Sequence, residues 1–353
     1  MTDVSLNKAK RSISELEKRY AGFNAPGFRV KIDGADVTPS GMAISSLMVE
    51  TTSTKEADVV TFAVNNAFDA EKSEFLWLGE QLALGKELEV HLGYVDKLEP
   101  VFYGFITSVK VVVGLDGTPE LQVTALDLSF KLMRGRTFRA YADKKISDIV
   151  KAIGHEHGLS CKVDDTQLVI PMLMRSPQSD FQFLHDLAQS INYEFLVVGK
   201  TLYFRKKNRD KDPFIELRFG MHLARVEIEH NLSEQVTQVQ VRGWDVKEQK
   251  PIEAVSNKVD KIGSNSRTGP DLLKAMLGNA EEVYHLNVKD RNEAQILADA
   301  VMNERALRLV TGEAECLGIP ELRAGRYIKL EGLGERLNPI YYVSRAVHRI
   351  DES

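Results

Sequence analysis

The sequence predicts a mainly β chain with an α+β insertion, in which two β regions of the barrel or sandwich kind flank a helix-plus-hairpin segment. Three observations predict it. Both flanks alternate apolar and polar residues with period two, and glycines punctuate the runs. The middle, residues 176–207, switches to helical period and then to a hairpin. A glycine–strand–turn–strand pattern also occurs once in each flank.

In chain order, residues 5–20 form an amphipathic helix candidate with Leu6, Ile13, Leu16 and Tyr20 on one side, ended by residues 22–26. Its polar face is of mixed sign, which favours packing on protein over a membrane surface. Phe28, Val30 and Ile32 then alternate, and residues 48–52 and 59–64 continue in that mode. Leu88, Val90 and Leu92 alternate between Gly85 and Gly93. Residues 101–113 and 121–126 are separated by a turn at 114–117. Such short, glycine-punctuated strands make a small barrel or sandwich.

Residues 136–213 differ. Ile146, Ile149, Val150 and Ile153 have helical spacing and Gly158 stops the helix, with a brief strand at Cys161 and Val163. Ser179 precedes Gln182 at capping-box spacing. Phe181, Leu184, Leu187, Ala188 and Ile191 then mark one apolar helix face, closed by Asn192. Strands 193–198 and 201–205 are joined by Gly199-Lys200, suited to a type II′ turn. Period two returns at residues 224–230 and at Val236, Val239 and Val241, up to Trp244. Residues 263–270 read as a loop. Asp290 and Glu293 open a helix running to about Leu309, and residues 313–350 are again β.

The paired pattern is Gly85-Lys-Glu-Leu-Glu-Val-His-Leu-Gly93 with Pro100-Val-Phe-Tyr103, against Gly325-Arg-Tyr-Ile-Lys-Leu-Glu-Gly332 with Pro339-Ile-Tyr-Tyr342. Two similar barrels in one chain suit equivalent places in a ring, so that fewer chains close a larger symmetry.

The 353 residues suffice for two or three domains, and a net charge of -5 argues against nucleic-acid binding as the main role. The local basic run Arg205, Lys206, Lys207 and Arg209 reads as a solvated hairpin end. Cys161 and Cys316 give no disulfide framework and read as buried thiols. The first 14 residues lack the apolar core of a signal peptide, and no run of about 18 apolar residues predicts a membrane span. Synthesis and folding in a cytoplasm are expected.

The search for chemistry finds no catalytic, cofactor-binding or metal-ligating residue to nominate. His155-Glu156-His157 places its histidines two apart, on nearly opposite sides, whereas a helical zinc pair needs four. They read as surface histidines at a helix C-terminus. Gly332-Leu333-Gly334 lacks the third glycine and the helix of a phosphate loop. Asp164-Asp165 reads as a turn, and Trp77 and Trp244 as packing or interface residues.

The order of parts resembles a known family. The first β region carries Gly85…Gly93-Tyr94, Phe102-x-Gly104-x-Ile106 and Ala125-x-Asp127. The middle carries Ser179-Asp180-Phe181…Leu184…Leu187-Ala188…Tyr193-Glu194-Phe195 and Leu202-Tyr203-Phe204, and the second β region Val236…Val239-x-Val241-x-Gly243-Trp244. From about residue 25 to the end, this is similar to the late control protein D family, the baseplate hub of contractile phage tails. The same module forms the hub part of type VI secretion spike proteins and occurs in extracellular contractile injection systems.

The resemblance implies two tube-type β-barrel domains per chain and a homotrimer joining a hexameric tail tube to a trimeric spike. The implied divisions are an N-terminal helix or arm (1–24), a first barrel (25–135), an α+β segment (136–220), a second barrel (221–246 and 311–353) and a loop-and-helix insertion (247–310). It also implies a structural role with no enzyme activity, cofactor, membrane or specific nucleic acid. The expected partners are a tube protein, a separate spike protein and other baseplate proteins, in a tail or injection particle. The alternative from a different class is a cell-wall-binding or peptidoglycan-degrading tail protein, using Trp77, Trp244 and exposed carboxylates.

Overall fold

The computed structural model describes the chain except residues 1–3, 7–8, 115–117, 168, 208–211, 263–266, 335–336, 338–339 and 352–353. Its architecture is mainly β with an α+β segment in the middle, as the sequence predicts. The first departure is at the start. Only Ile13–Arg19 (α1) of the expected 5–20 helix is helical. Ser12 accepts the Glu15 amide at 3.2 Å while the Glu15 carboxylate accepts the Ser12 amide at 3.0 Å, so a reciprocal box sets the start there. Upstream, the Ser5 and Leu6 carbonyls accept from Arg326, and Leu6 enters a different core from Leu16 and Tyr20.

The first β unit contains β1 (Pro26–Ile32), β2 (Ile44–Thr52), β3 (Val59–Val64), β4 (Glu87–Tyr94), β5 (Lys97–Val112) and β6 (Glu120–Asp127). Together with Ala35–Asp36 and Arg345–Asp351 they make one antiparallel sheet of eight strands. Its order is Ala35–Asp36, β1, β4, β5, β6, β3, β2, Arg345–Asp351. Alternation places Val30, Val49, Val60, Val90 and Val123 on the same face and in one cluster, so the sheet curls around a single core. The turn expected at 114–117 falls largely outside the described residues; its flanks pair at Val112 and Glu120.

The middle unit contains β7 (Thr137–Lys145), α2 (Ile146–Glu156), β8 (Ser160–Val163), β9 (Val169–Gln178), α3 (Asp180–Ser190), β10 (Tyr193–Val198) and β11 (Thr201–Lys206). Ser179 accepts the Gln182 amide at 3.2 Å and starts α3 as predicted. The predicted face of α3 joins Ile149, Val150 and Ile153 of α2 over Phe195, Leu202 and Phe204. The hairpin turns at Gly199, whose φ of 58° fits the expected II′ geometry. The β7–β9 ribbon is absent from the sequence reading, because most of its residues are exposed on both strands and no apolar period marks it.

Beyond this lie β12 (Ile215–Arg218), β13 (Leu223–His230), β14 (Gln238–Asp245), β15 (Lys250–Ser256), β16 (Glu281–His285), α4 (Arg291–Leu307), β17 (Val310–Cys316), β18 (Tyr327–Glu331), β19 (Ile340–Tyr342) and β20 (Arg345–Asp351). Strand pairing redraws three expected boundaries. Residues 215–218, assigned to the middle segment, pair with β18 in the second β unit. Strand β14, assigned to the second barrel, pairs with β15 and β16, and its Val239 and Val241 pack on Ala294, Ala298 and Met302 of α4. A separate αβ layer results. Strand β20, also assigned to the second barrel, pairs with β2 and extends the first sheet. Residues 263–266 of the expected loop are outside the described residues. Gly269 and Pro270 instead open the helix Gly269–Leu277, which Thr268 caps with Asp271.

The paired glycine pattern has matching geometry. Gly85 donates to the Ile106 carbonyl at 2.8 Å, and Ile106 donates to Lys86 at 2.9 Å. Gly325 donates to Val343 at 2.9 Å, and Val343 to Arg326 at 2.8 Å. Both glycines have left-handed φ, 85° and 87°, at the bend that starts the strand. Past this bracket, β5 runs on to pair with β6. The corresponding strand in the second unit runs on as β20 and pairs with β2 instead, the Ser344 carbonyl accepting the Ser53 amide at 2.9 Å. Pro339 of the pattern lies outside the described residues.

Leu184 is fully buried where α3 meets α2 and the hairpin. Replacing it with alanine is expected to cost about 2–5 kcal/mol, through lost transfer energy and the cavity left behind. Denaturant titration reads this as a lower midpoint; an unchanged midpoint means the helix face is misassigned.

Candidate functional site

The sequence candidates disperse in the fold. His155 is exposed, but His157 is half-buried and lies 2.8 Å from Asp180 at the start of α3, so it ties two helices together rather than facing solvent. Glu156 takes both its hydrogen bonds from Arg139. Asp165 pairs with Lys145 at 3.0 Å and Asp164 accepts the Lys206 amide, both at strand ends. Gly332 and Gly334 bend the chain with φ of 82° and 85°. Cys161 and Cys316 are free and partly buried, and burial pushes the Cys316 thiol up to about 11. Trp77 packs against the first core, whereas Trp244 is 55% exposed. Among the described residues no group of three or more His, Cys, Asp or Glu is arranged to hold a metal.

What the fold does bring together is a set of buried charges that sequence reading passed over. They centre on residues 319–326, between β17 and β18. Arg323 donates to Asp58 at 2.9 Å, while the other Asp58 oxygen accepts the Thr52 amide at 2.8 Å. Asp127, also buried, donates its amide to the Asp58 carbonyl and accepts from Ser129. The Ala324 amide donates to the Thr51 hydroxyl at 3.0 Å, and the His348 ring to the Leu322 carbonyl at 2.7 Å. Glu321 accepts the Tyr20 hydroxyl at 2.7 Å, and Arg326 holds the Ser5 and Leu6 carbonyls. Arg205 donates to the Gly325 carbonyl at 2.7 Å and pairs with Glu194, which accepts the Tyr342 hydroxyl at 2.5 Å. Arg205 was expected at a solvated hairpin end; it is 6% exposed. Of that run only Lys206 is exposed as expected; Lys207 is half-buried, and Arg209 lies outside the described residues.

One segment of eight residues thus binds the N-terminal arm, the first sheet and the middle hairpin. Burial sets its electrostatics. Desolvation pushes Asp58 up to about 6 against the pull of Arg323, and Asp127 well up, with the Asp58 charge adding to the effect. Burial brings Arg326 down to about 9, helped by neighbouring Arg323, and it lowers His348, which keeps that ring neutral as a donor. The crevice beside these groups measures about 10 Å³. It has no room for a substrate, so the arrangement works as a latch and offers no reaction chamber.

A larger cleft of about 720 Å³ lies between α3, α4 and the β19 region, with Tyr193, Phe195, Tyr341 and Leu307 in its walls. Its one histidine, His185, is buried, and burial lowers its pKa. Neither nitrogen of that ring has a side-chain hydrogen-bond partner among the described residues.

The sequence matches the Alg8 N-terminal domain family over residues 24–352. The chain belongs to this family. No curated protein matches it. Among solved structures, this family member is similar to the 43 kDa tail protein of prophage MuSo2 from Shewanella oneidensis. The TM-score is 0.69 at 10% identity, covering 93% of this chain and 95% of that one. A tail protein from Neisseria meningitidis gives 0.64 at 11% identity, with 93% of each chain covered. The E. coli c3393 protein, a component of the type VI secretion system with structural similarity to T4 tail proteins gp27 and gp5, gives 0.54 at 12% identity, covering 91% of this chain and 73% of that one. At these identities the likeness is one of fold: the Alg8 N-terminal domain chain shares the tail-protein architecture.

Two measurements test the latch. Arg323→Ala leaves the Asp58 carboxylate buried without its cation, and is expected to cost about 3–5 kcal/mol, read as a lowered Tm. The second is pH dependence. Asp58 binds its proton more tightly folded than unfolded, since its pKa rises from 3.8 to about 6. Its contribution to stability is therefore full below about pH 4 and lost as pH climbs through about 6. Asp58→Asn keeps the group neutral, and denaturation midpoints from pH 4 to 7 should lose that part of the descent. A wild-type descent in the variant contradicts the assignment.

Proposed function

We propose that this chain is the structural hub of a contractile tail or injection-particle baseplate: a homotrimer, without enzyme activity, that joins a hexameric inner tube to a trimeric spike. The observation that carries the reading is the repeated bracket at Gly85–Ile106 and Gly325–Val343, with the two β units joined through β2 and β20. Two like β units per chain make six around a three-fold axis, the number a six-fold tube offers. The tail-protein fold and the order of motifs resembling the late control protein D family support the same reading. So does the latch, which holds the two units as one body, as a load-transmitting adaptor requires.

In this reading the protein is made in a bacterial cytoplasm and assembled there into the particle. Its partners are the tube protein, a spike and other baseplate proteins. The middle unit braces the two β units from outside, and no cofactor or metal takes part.

Light scattering on the purified chain, alone and with tube and spike proteins, tests the proposal. The expected species is three times the 39.6 kDa chain mass, with particles lacking the chain failing to join tube to spike. A chain that stays monomeric with both partners present overturns it.

A further inference from the structure

Two sheet faces of this chain are apolar and uncovered, and they are unlike each other. The first belongs to the β7–β9 ribbon. Its inner face sets Tyr141 and Leu173 against the middle core. The opposite face carries the cross-strand pairs Ala140–Met174 and Ala142–Met172. Phe138, Met172 and Met174 there are 62%, 58% and 65% exposed. Two-stranded ribbons gain little from solvent-facing methionine and phenylalanine, whereas an adaptable apolar contact uses both.

The second is the outer face of the β15–β14–β16 sheet, whose inner face α4 covers. Register puts Val255, Gln240 and Val283 in one row and Pro251 beside Trp244. Trp244 is 55% exposed, Val255 46% and Val283 42%. An exposed tryptophan on a rigid strand is the residue type that dominates protein–protein contacts.

The charges differ in sign. Arg136 and Lys144, on and beside the ribbon, are exposed and make no ion pair among the described residues. The sheet face carries Glu281, likewise exposed and unpaired, and Glu253, held only by Arg242 at 3.5 Å. A ring of identical chains repeats one contact between two different faces, unlike a two-fold dimer, which uses one face twice. Resting on the trimer reading above, we infer that the apolar face of the β7–β9 ribbon of one copy docks on the open β15–β14–β16 face of the next copy, so that the two faces close the ring.

The test uses the full chain with two sets of variants at exposed positions: Met172→Asp with Met174→Asp, and Trp244→Asp with Val283→Asp. Circular dichroism is expected to match wild type, since none of the four side chains is in a core, with Tm lowered only by the stabilisation that the ring contact supplied. Light scattering is expected to give wild-type trimer and each variant as monomer. Mixing the two variants should restore a dimer, because each supplies the intact face the other lacks. Met174→Leu should keep the trimer. Variants that remain trimeric overturn this assignment while leaving the trimer itself standing, and so does a mixture that does not pair. A wild-type chain that is monomeric with tube and spike present overturns the trimer reading and this inference together.

Discussion

The structure depends on a buried guanidinium. Arg323 reaches from the second β unit into the first and meets Asp58, with the buried Asp127 carboxyl alongside. Removing charges from water is expensive, and such a pair stabilises only if geometry and extra hydrogen bonds offset desolvation. Here they do so in part: Asp58 takes the Thr52 amide as well as Arg323, and Asp127 takes Ser129, yet burial still holds both carboxyls above their usual range. The same residues 319–326 anchor the arm through Glu321 and Arg326, and the middle hairpin through the Gly325 carbonyl. A hydrophobic interface could hold these parts together, but it would tolerate sliding. Directed hydrogen bonds between buried partners fix one arrangement.

That fixity bears on function. The two β units share a sheet through β2 and β20, and the latch sits directly beside this junction, where Ala324 meets Thr51 and His348 meets Leu322. Hydrogen-bonded strands and paired charges at one seam resist both shear and rotation. A chain built so is suited to carrying force or geometry across itself.

Much of the fold was legible in the residues. Ser179 and Asp290 start their helices because a side-chain oxygen takes the amide three residues on. The hairpin after α3 follows from alternation and Gly199, and the strands of the first unit from period two. The glycine bracket was visible as a repeated pattern because a left-handed bend demands glycine and leaves a mark in sequence. Less was legible of the site. Asp58, Arg205 and Arg323 look like ordinary surface charges in sequence, and nothing local distinguishes a charge that will be buried.

Sequence by itself determined the type of the segments with a clear apolar period, where several begin, and that two flanks share a glycine-led motif. These are local matters, settled by caps, turn geometry and the period of apolar residues. Only the tertiary structure decided that β14 leaves the second unit for α4, that β20 crosses to the first sheet, and that the ribbon β7–β9 pairs at all. Strand partners are chosen by edges and faces contributed from hundreds of residues away, and a strand's own pattern carries its buried face but not its neighbour. The mainly β architecture around a helix and hairpin was thus readable from the residues, while the latch that unites it existed only once the chain had folded.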